Sequence, residues 1–310
     1  MNSQPIFKDW EPQHTALFGR HTIRLQHALA ESGLFTDEAL AGLIDRADAA
    51  NYNIATMGAD HRRSNWRSGD KGDRSGAEVI DAVRNGRIWI NLQRVNTFEP
   101  RYAALLDRIF AEIEGRVPGL ETYKQTLGVL ISSPNAQVFY HCDVPGQMLW
   151  QIRGRKKVYV YPPSEPFLNP ADMEGVILGL TEEEVPYEPW FDEHAEVYDL
   201  EPGQMLHWPL NGPHRVVNHD CLNVSVTTEH WTNEIRASYA MNYANGILRQ
   251  IGVGNPSRAI SGPGFYGKAA LAAAVKYSGV MDKRRYRRVA DFLVDPKAPG
   301  GFVDIQTRMN

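Results

Sequence analysis

Cysteine and long apolar runs are both scarce in this sequence. The 310 residues include only two cysteines, Cys142 and Cys221, which argues against a disulfide scaffold and for a reducing compartment. The most apolar late stretch, Ala269–Val275, is far too short to span a bilayer. The first residues, MNSQPIFKDWEPQH, lack the apolar run behind a basic start that marks a signal peptide. We therefore expect a cytoplasmic protein without a membrane span.

A large excess of charge of one sign is also lacking. Lys and Arg number 33 against 37 Asp and Glu, which gives a formal net charge of −4 and an isoelectric point of about 6.2. This balance provides no overall attraction to nucleic acid, which is not expected as a partner. The apolar fraction is ordinary for a globular protein. A chain of 310 residues can bury a large core, in one elaborated domain or two small ones.

A histidine and a carboxylate lie two positions apart, at His141 and Asp143. If this segment is a strand, both side chains project from one face, and Cys142 between them faces the other way. Two histidines with one carboxylate are the set that holds non-haem Fe(II) while leaving coordination positions open. Alone, the H-x-D pattern is a weak signal, and a surface turn is the simpler interpretation.

The second histidine of such a set must come from a later segment. PGQMLHWPLNGPHRVVN offers His214, which we favour over its competitors His207 and His219. His207 falls in the middle of a predicted strand, and His219 precedes an Asp-Cys turn that is typical of an exposed position.

Lys156 follows Asp143 by thirteen residues, on the second strand of a predicted hairpin around Gly154. It shares strand parity with two valines, whereas Lys157 shares it with two tyrosines. If the valine face is the inner one, Lys156 places an ammonium in a mostly apolar barrel. Burying that charge unpaired costs several kcal/mol, which an anionic ligand would relieve. An outward lysine on a twisted hairpin is the alternative.

Three pieces of the chain resemble the cupin-like, JmjC-type branch of the Fe(II)- and 2-oxoglutarate-dependent oxygenases. The first is His141-Cys142-Asp143, and the second is the run Q-I-R-G-R-K that ends at Lys156, similar to that family's Q-I-x-G-x-K hairpin. The third begins at Pro202-Gly203 and closes at His214, like the second cupin motif. The resemblance covers about residues 87–232.

The resemblance implies a mainly β fold with flanking helices. Its core would be a double-stranded β-helix, that is, a jelly-roll or cupin core, with N- and C-terminal helical additions. It implies a dioxygenase that uses Fe(II), 2-oxoglutarate and O2 to hydroxylate a substrate, with succinate and CO2 as co-products.

The resemblance also implies roles for individual residues. The metal ligands and catalytic residues would be His141, Asp143 and His214. Lys156 would hold the distal carboxylate of 2-oxoglutarate, and Gln147 would lie near the metal end, with Thr227 a weaker candidate for cosubstrate binding.

Two positions depart from the family pattern. Gln204 follows the second-motif glycine, where the family has an acidic residue. Val138 stands where the asparaginyl hydroxylases have a threonine that helps to hold the cosubstrate. A hydroxyl partner for Lys156 would therefore come from another position, such as Tyr140 or Tyr159.

Helices are predicted mainly outside the barrel. We divide the chain into an N-terminal helical region, 1–86, a catalytic core, 87–232, with an insertion at 162–195, and a C-terminal helical region, 233–310. The sequence predicts flanking helices at Arg20–Ser32, Asn233–Gln250, Gly267–Tyr277 and Asp282–Leu293. The polar stretch 57–76 reads as a long loop, which either reaches over a ligand or is solvated.

Charge is unevenly distributed along the chain. No Lys or Arg occurs between Val158 and His214, whereas the insertion carries Glu182-Glu183-Glu184. This pattern is typical either of a solvated face or of an acidic lid that attracts a cationic substrate.

Basic residues are densest at Lys283–Arg288. Apolar positions on the C-terminal helices predict a homodimer through this region, with a solvated face as the alternative.

Two further function classes stay open. One is a cupin that binds a metal or small ligand without oxidising anything, as a ligand-binding or sensor module. The other is a metal-dependent cupin isomerase, in which Lys156 has no clear role. For an oxygenase, a protein side chain and a small molecule are both open as substrate.

Overall fold

The structure is a computed structural model that describes residues 4–58, 62–254, 256–282 and 286–305. The described residues form seven α-helices and fourteen β-strands. The helices are α1 Pro12–Leu17, α2 Asp37–Arg46, α3 Gly76–Asn85, α4 Pro100–Arg116, α5 Pro170–Leu178, α6 Asn233–Gln250 and α7 Pro263–Ser278. The strands are β1 Ile23–Gln26, β2 Tyr52–Thr56, β3 Arg67–Asp70, β4 Ile88–Leu92, β5 Tyr123–Ser132, β6 Gln137–His141, β7 Gly146–Arg153, β8 Lys156–Val160, β9 Glu196–Leu200, β10 Gln204–His207, β11 His214–Asn218, β12 Asn223–Trp231, β13 Ala290–Val294 and β14 Phe302–Asp304.

Two sheets form the core. The larger has the strand order β1-β10-β7-β12-β5-β4-β2-β3-β13-β14, and the smaller has the order β6-β11-β8-β9. From β5 to β12 the chain passes back and forth between them, so that each sheet receives four of these eight strands. One buried apolar cluster takes side chains from both sheets, namely Leu149, Val158, Val160, Leu200, Leu206, Trp208 and Val216. The predicted jelly-roll core with flanking helices is confirmed.

Helix α4 covers the larger sheet much as the sequence indicates. Pro100 occupies its first turn, where a missing backbone N–H costs nothing. Leu105, Ile109 and Ile113 recur at helical spacing and are buried in the main core.

The N-terminal flank contributes strands as well as helices, and the predicted helix at Arg20–Ser32 is wrong. Residues Ile23–Gln26 form β1, which pairs antiparallel with β10 at one edge of the larger sheet. Ile23 and Leu25 are buried while the residues between and after them are exposed. The apolar positions of this segment fit both the 3.6-residue period of a helix and the two-residue period of a strand. The segment is a strand because it can pair with the edge of the sheet.

The C-terminal flank is also only partly helical. Helix α6 has the predicted bounds, and α7 includes the predicted Gly267–Tyr277. The helix predicted at Asp282–Leu293 is wrong, because residues 286–289 have no regular secondary structure and Ala290–Val294 form strand β13, with Phe292 and Val294 buried in alternation. Lys283–Arg285 of the basic run lie outside the described residues. No helix in the described part of the chain is both long and apolar enough to cross a bilayer.

Arginines from other segments anchor the stretch 162–195. Glu174 on α5 is 1% exposed, and it accepts hydrogen bonds from Arg249 at 2.7 Å and Arg258 at 3.1 Å. This pair of contacts joins α5 to α6 and to the segment that follows it. Because a buried carboxylate needs such partners, the explanation of a plain solvated face is wrong for this acid.

A second anchor lies where Asp192 meets Arg215. The Arg215 side chain is 4% exposed, donates to Asp192 Oδ1 at 3.1 Å, and stacks on Tyr159 with its guanidinium carbon 3.5 Å from the ring centroid. Tyr161 also donates its hydroxyl to Asp192. The acidic stretch is therefore attached through Arg215 of the jelly roll and through Arg249 and Arg258 of the C-terminal flank.

Candidate metal and cosubstrate site

His141, Asp143 and His214 come together at one end of the jelly roll. His141 ends β6, His214 begins β11, and the two residues are direct partners across these antiparallel strands. One donor atom from each of the three side chains lies within 4.8 Å of the others. Among the described residues this is the one group of three or more such side chains close enough to hold a metal ion.

Backbone carbonyls orient both imidazole rings. His141 Nδ1 lies 2.8 Å from the carbonyl oxygen of Phe139, and His214 Nδ1 lies 3.0 Å from that of Gly212. An Nδ1–H that donates to these oxygens leaves the Nε2 lone pair of each ring free for a metal. Burial, and then the neighbouring His141, lower the pKa of His214 to about 4, so that it is neutral, as a metal ligand must be.

Asp143 supplies a carboxylate that lacks partners. Its side chain is 8% exposed, and Oδ2 accepts no hydrogen bond from the described residues. Oδ2 lies 3.4 Å from His214 Nε2, while the Asn211 side chain fixes the Asp143 backbone by donating to its carbonyl at 2.6 Å. A buried carboxylate oxygen without a donor is costly unless a cation binds it. Two imidazoles and this carboxylate therefore fit Fe(II).

The two competing histidines are occupied elsewhere. His207 Nδ1 lies 2.7 Å from the carbonyl oxygen of Gln147, and its Nε2 accepts from the Gly19 amide at 3.0 Å. Both of its ring nitrogens are thus used within the protein. His219 Nε2 lies 2.8 Å from Asp199 Oδ1 near the surface. The structure brings His214, and neither competitor, to His141 and Asp143.

Lys156 faces the interior, as its strand parity predicts. It is 4% exposed, whereas Lys157 points to solvent. Burial lowers the pKa of Lys156 to about 7, and no carboxylate of the described residues forms an ion pair with it. Lys156 pairs with Asn218 on β11, four residues from His214. It therefore sits on the same inner face as His214, about 13 Å further along the sheet.

A cavity of about 640 Å³ opens beside the three metal-binding candidates. Gln147 on β7 and Thr227 on β12 line it, on the wall formed by the larger sheet. Gln147 Oε1 is buried and accepts no hydrogen bond within the described protein. Lys156 does not line the cavity itself. Its cross-strand partner is Asn218, and Val216, two residues closer to His214 on the same strand, lines the cavity.

The proposed hydroxyl partners of Lys156 are placed away from it. Tyr140 donates its hydroxyl to the carbonyl of Phe167 at 2.8 Å, within the apolar cluster outside the smaller sheet. Tyr159 has the opposite strand parity to Lys156 and lies beneath Arg215. The expectation that either tyrosine assists Lys156 is therefore wrong.

Two acidic residues that the sequence analysis did not identify as site residues also line the cavity. Glu229 shares the parity of Thr227 on β12, and this parity could have revealed it. Burial, and then Asp143, raise its pKa. Glu183 reaches the site from a segment without regular structure, and its carbonyl accepts from the Cys142 amide at 3.1 Å. Its side chain lines the cavity and is exposed, and desolvation by the surrounding protein, followed by the charge of Asp143, raises its pKa.

Comparisons with known proteins identify the fold. No protein-family profile and no curated protein sequence matches the chain. A crystal structure of E. coli YcfD matches with a TM-score of 0.51 and 16% identity, over 94% of this chain and 76% of that one. A second YcfD structure, described as a ribosomal oxygenase, has a TM-score of 0.49 at 14% identity over 93% and 74% of the two chains. A third, in complex with cobalt and 2-oxoglutarate, has 0.47 at 17% identity over 95% and 76%. This chain has the fold of E. coli YcfD.

Proposed function

We propose that this protein is an Fe(II)- and 2-oxoglutarate-dependent dioxygenase that hydroxylates its substrate and releases succinate and CO2. One observation carries the proposal. The interior face that holds His214 also holds Lys156, a buried ammonium without a carboxylate partner among the described residues. A site that binds only a metal ion provides no anion to neutralise this charge, whereas a dicarboxylate cosubstrate does. E. coli YcfD, whose fold this chain shares, is described as an oxygenase, which is the same class of chemistry.

In this proposal His141, Asp143 and His214 hold the iron through two Nε2 atoms and a carboxylate oxygen. Iron bound there, with 2-oxoglutarate and O2, supplies the oxidation of a substrate C–H bond. The three side chains that would hold the iron line the cavity, where the substrate would lie.

Lys156 binds the distal carboxylate of 2-oxoglutarate through a charge-assisted hydrogen bond. Gln147 lines the cavity with a buried amide oxygen that accepts no hydrogen bond within the described protein, and in this proposal it meets the other end of the cosubstrate. Thr227 offers a hydroxyl on the same wall.

Apolar side chains keep water from the reaction. Trp208 packs against the His214 ring with centroids 4.4 Å apart, and Leu149 and Val216 line the cavity beside it. Such surroundings strengthen the charge interactions of Lys156 and Asp143.

The test measures O2 consumption and succinate formation by the iron-loaded protein supplied with 2-oxoglutarate. We expect succinate and CO2 to form slowly even without substrate, by uncoupled turnover in the presence of a reductant such as ascorbate. The alternative is a cupin that binds metal and ligand without oxidising them. It predicts bound iron and no succinate, and a metal-dependent isomerase predicts the same absence.

We propose the cytoplasm as the location of this chemistry, because Cys142 and Cys221 are both free thiols. The substrate is either a protein side chain or a small molecule. The cavity of about 640 Å³ has room for either beside the cosubstrate.

We also propose that the protein forms a homodimer through its C-terminal helices. Tyr266 and Tyr277 lie three helical turns apart on one side of α7, and they are 69% and 89% exposed. Val280, just beyond the helix, is 63% exposed. Large apolar side chains grouped in this way are typical of an interface. Light scattering should show a dimer that Tyr277→Glu converts to a monomer, and a monomeric wild-type protein would contradict the proposal.

A further inference from the structure

Asn53 carries a buried amide without a hydrogen-bond partner. It lies on β2 with 9% of its surface exposed, and its side chain bonds to none of the residues that the structure describes. Ile54 beside it faces the other side of the sheet, in the main core. The Asn53 side chain lines the cavity that contains the metal-binding candidates. A buried amide without partners lowers stability, which a ligand that bonds to it explains.

Two further amides extend the same wall of the cavity. Asn91 on β4 is the direct cross-strand partner of Asn53, and Gln93 follows two residues later. Both line the cavity, and within the described ranges neither side chain forms a hydrogen bond. Side chains directly opposite each other on antiparallel strands lie about 5 Å apart, so that one ligand group can contact both asparagines. We call Asn53, Asn91 and Gln93 the amide row.

Aromatic rings lie beside the amide row. Trp89 precedes Asn91 by two residues on β4 and therefore projects from the same face of the sheet. Trp66 packs edge to face against Trp89 and against Phe139, with ring centroids 5.5 and 4.9 Å apart. All three rings line the cavity. Their apolar surfaces lower the local polarity, which strengthens a hydrogen bond to the amide row.

The amide row is separated from the proposed cosubstrate residues on the larger sheet. Strands β4 and β5 lie between β2 and β12, which carries Thr227. These three strand spacings amount to about 14 Å. Gly128 on β5 keeps the space between them free, because a Cβ there would lie 2.8 Å from Thr227 Oγ1 and 3.5 Å from Asn91 Oδ1. A substrate can therefore extend from the amide row to the other end of the same cavity.

The charges on the cavity wall limit what the amide row can bind. The lining carboxylates are Asp143, Glu182, Glu183 and Glu229, and the lining arginine, Arg288, forms an ion pair with Glu182. An anionic group in addition to the cosubstrate would be repelled here. A side-chain amide offers two N–H donors and a carbonyl acceptor, which complement the groups of another amide. An uncharged amide is therefore the ligand that fits.

We infer that the amide row is a substrate subsite that binds an uncharged amide group, while another part of the same substrate lies near the metal. The inference rests on the proposed function only in that it takes this cavity as the site of reaction. The amide belongs either to the main chain of a polypeptide or to a small molecule with a carboxamide. Both present an N–H and a C=O in one plane, which Asn53 and Asn91 can bond together.

Thermal unfolding separates a ligand-binding amide from a structural one. Asn53→Leu nearly keeps the size of the side chain and removes an amide without partners, so the variant should unfold at the wild-type temperature or about 2–4 °C higher. Asn242→Leu is the matched control. That amide is 1% exposed, donates to the Ser238 carbonyl at 3.0 Å and accepts from Arg258, so its loss should lower the unfolding temperature. A loss of stability in Asn53→Leu would overturn the inference.

Binding is measured on the full chain loaded with Zn(II), by magnetic resonance of the side-chain amides. The probes are N-acetyl-triglycine amide for a peptide and nicotinamide for a small carboxamide, with maltotriose as a hydroxyl-rich comparison. At least one amide probe should shift the signals of Asn53 and Asn91, and it should bind about tenfold more weakly to Asn53→Leu and Asn91→Leu. Asn242→Leu should bind it as the wild type does.

The two amide probes distinguish the sources of the ligand. Tighter binding of the peptide assigns the subsite to a polypeptide substrate, and tighter binding of nicotinamide assigns it to a small molecule. No binding of either amide, equal binding of maltotriose, or unchanged affinity in both cavity variants would each overturn the inference. A protein that forms no succinate would refute the proposed function, and the binding measurement, which needs no turnover, would still decide on the amide row.

Discussion

His141 and His214 face each other across two neighbouring strands of the smaller sheet, with ring centroids 4.1 Å apart. This cross-strand pairing fixes the distance between the two imidazoles before any metal arrives. The carboxylate of Asp143, two residues beyond His141, completes the group. The two histidines of the metal site thus stand on strands, which favours precise geometry, and Asp143 directly follows one of these strands.

Loss of any one of the three side chains should remove the metal. We expect His141→Ala, Asp143→Ala and His214→Ala each to lower the iron content at least tenfold and to abolish succinate formation, because two remaining ligands hold Fe(II) weakly. Metal analysis of the purified variants measures this.

The other histidines provide the controls for that experiment. His219→Ala should keep its iron and its stability, since His219 lies near the surface. His207→Ala should keep its iron but unfold at a lower temperature, because the Gly19 amide and the Gln147 carbonyl lose a buried partner. An iron-free His207→Ala protein of normal stability would show that the ligand set is wrong.

Strand parity explains which parts of the site could be predicted from the sequence. His141 and Asp143 are two apart, and Lys156 alternates with valines, so that one assumption about the inner face places all three. Glu183 could not be found in this way, because an irregular segment brings it to the cavity. The partners of Glu182 could not be found either, since Arg63 and Arg288 are more than a hundred residues away in the chain.

The fold shows the same division between local and distant determinants. Asn233–Gln250 forms the predicted helix with the predicted bounds, because it has one clear local pattern. The segments 23–26 and 290–294 are strands because a sheet edge is available to them. That edge is created by residues far away in the chain, so local periodicity alone does not decide between helix and strand.

The anchor between Asp192 and Arg215 should contribute strongly to stability. Asp192→Asn leaves the Arg215 guanidinium, 4% exposed, without its countercharge, and we expect a loss of about 3 kcal/mol in the free energy of unfolding. Denaturant unfolding measures it. Asp199→Asn is the control, because its partner Arg155 is 51% exposed and the change should cost less than about 1 kcal/mol. Equal losses in both variants would contradict a buried anchor.

The same anchor should weaken in acid. Burial alone would raise the pKa of Asp192, but hydrogen bonds from Arg215 and Tyr161 outweigh it and hold the pKa below the ordinary 3.8. A carboxyl whose pKa is depressed on folding stabilises the protein above its unfolded pKa. That stability is lost as the pH falls through the folded value. The difference between wild type and Asp192→Asn should therefore shrink below about pH 4.

Lys156 and Lys157 form a matched pair of positions for testing cosubstrate binding. Lys156→Met keeps the length of the side chain and removes the charge, so it should still bind iron but bind 2-oxoglutarate about ten- to a hundredfold more weakly. That range corresponds to about 1.5–3 kcal/mol for a hydrogen bond to a charged group. Lys157→Met, which changes an exposed residue, should behave as the wild type. Calorimetric titration of the anaerobic iron-loaded proteins measures both, and equal affinities would remove 2-oxoglutarate from the proposal.

The pH dependence of 2-oxoglutarate binding should follow the ionisation of Lys156. In the free protein, burial lowers the pKa of Lys156 to about 7, so that the ammonium loses its proton as the pH rises above this value. A bound carboxylate stabilises the ammonium and raises that pKa, and binding above pH 7 must therefore take up a proton. We expect the affinity to fall between pH 7 and 9 by up to about tenfold per pH unit, with a measurable proton uptake in buffers of different ionisation enthalpy. Lys156→Met should bind weakly at every pH and without proton uptake. A wild-type affinity that is constant over this range would show that the ammonium does not receive the dicarboxylate.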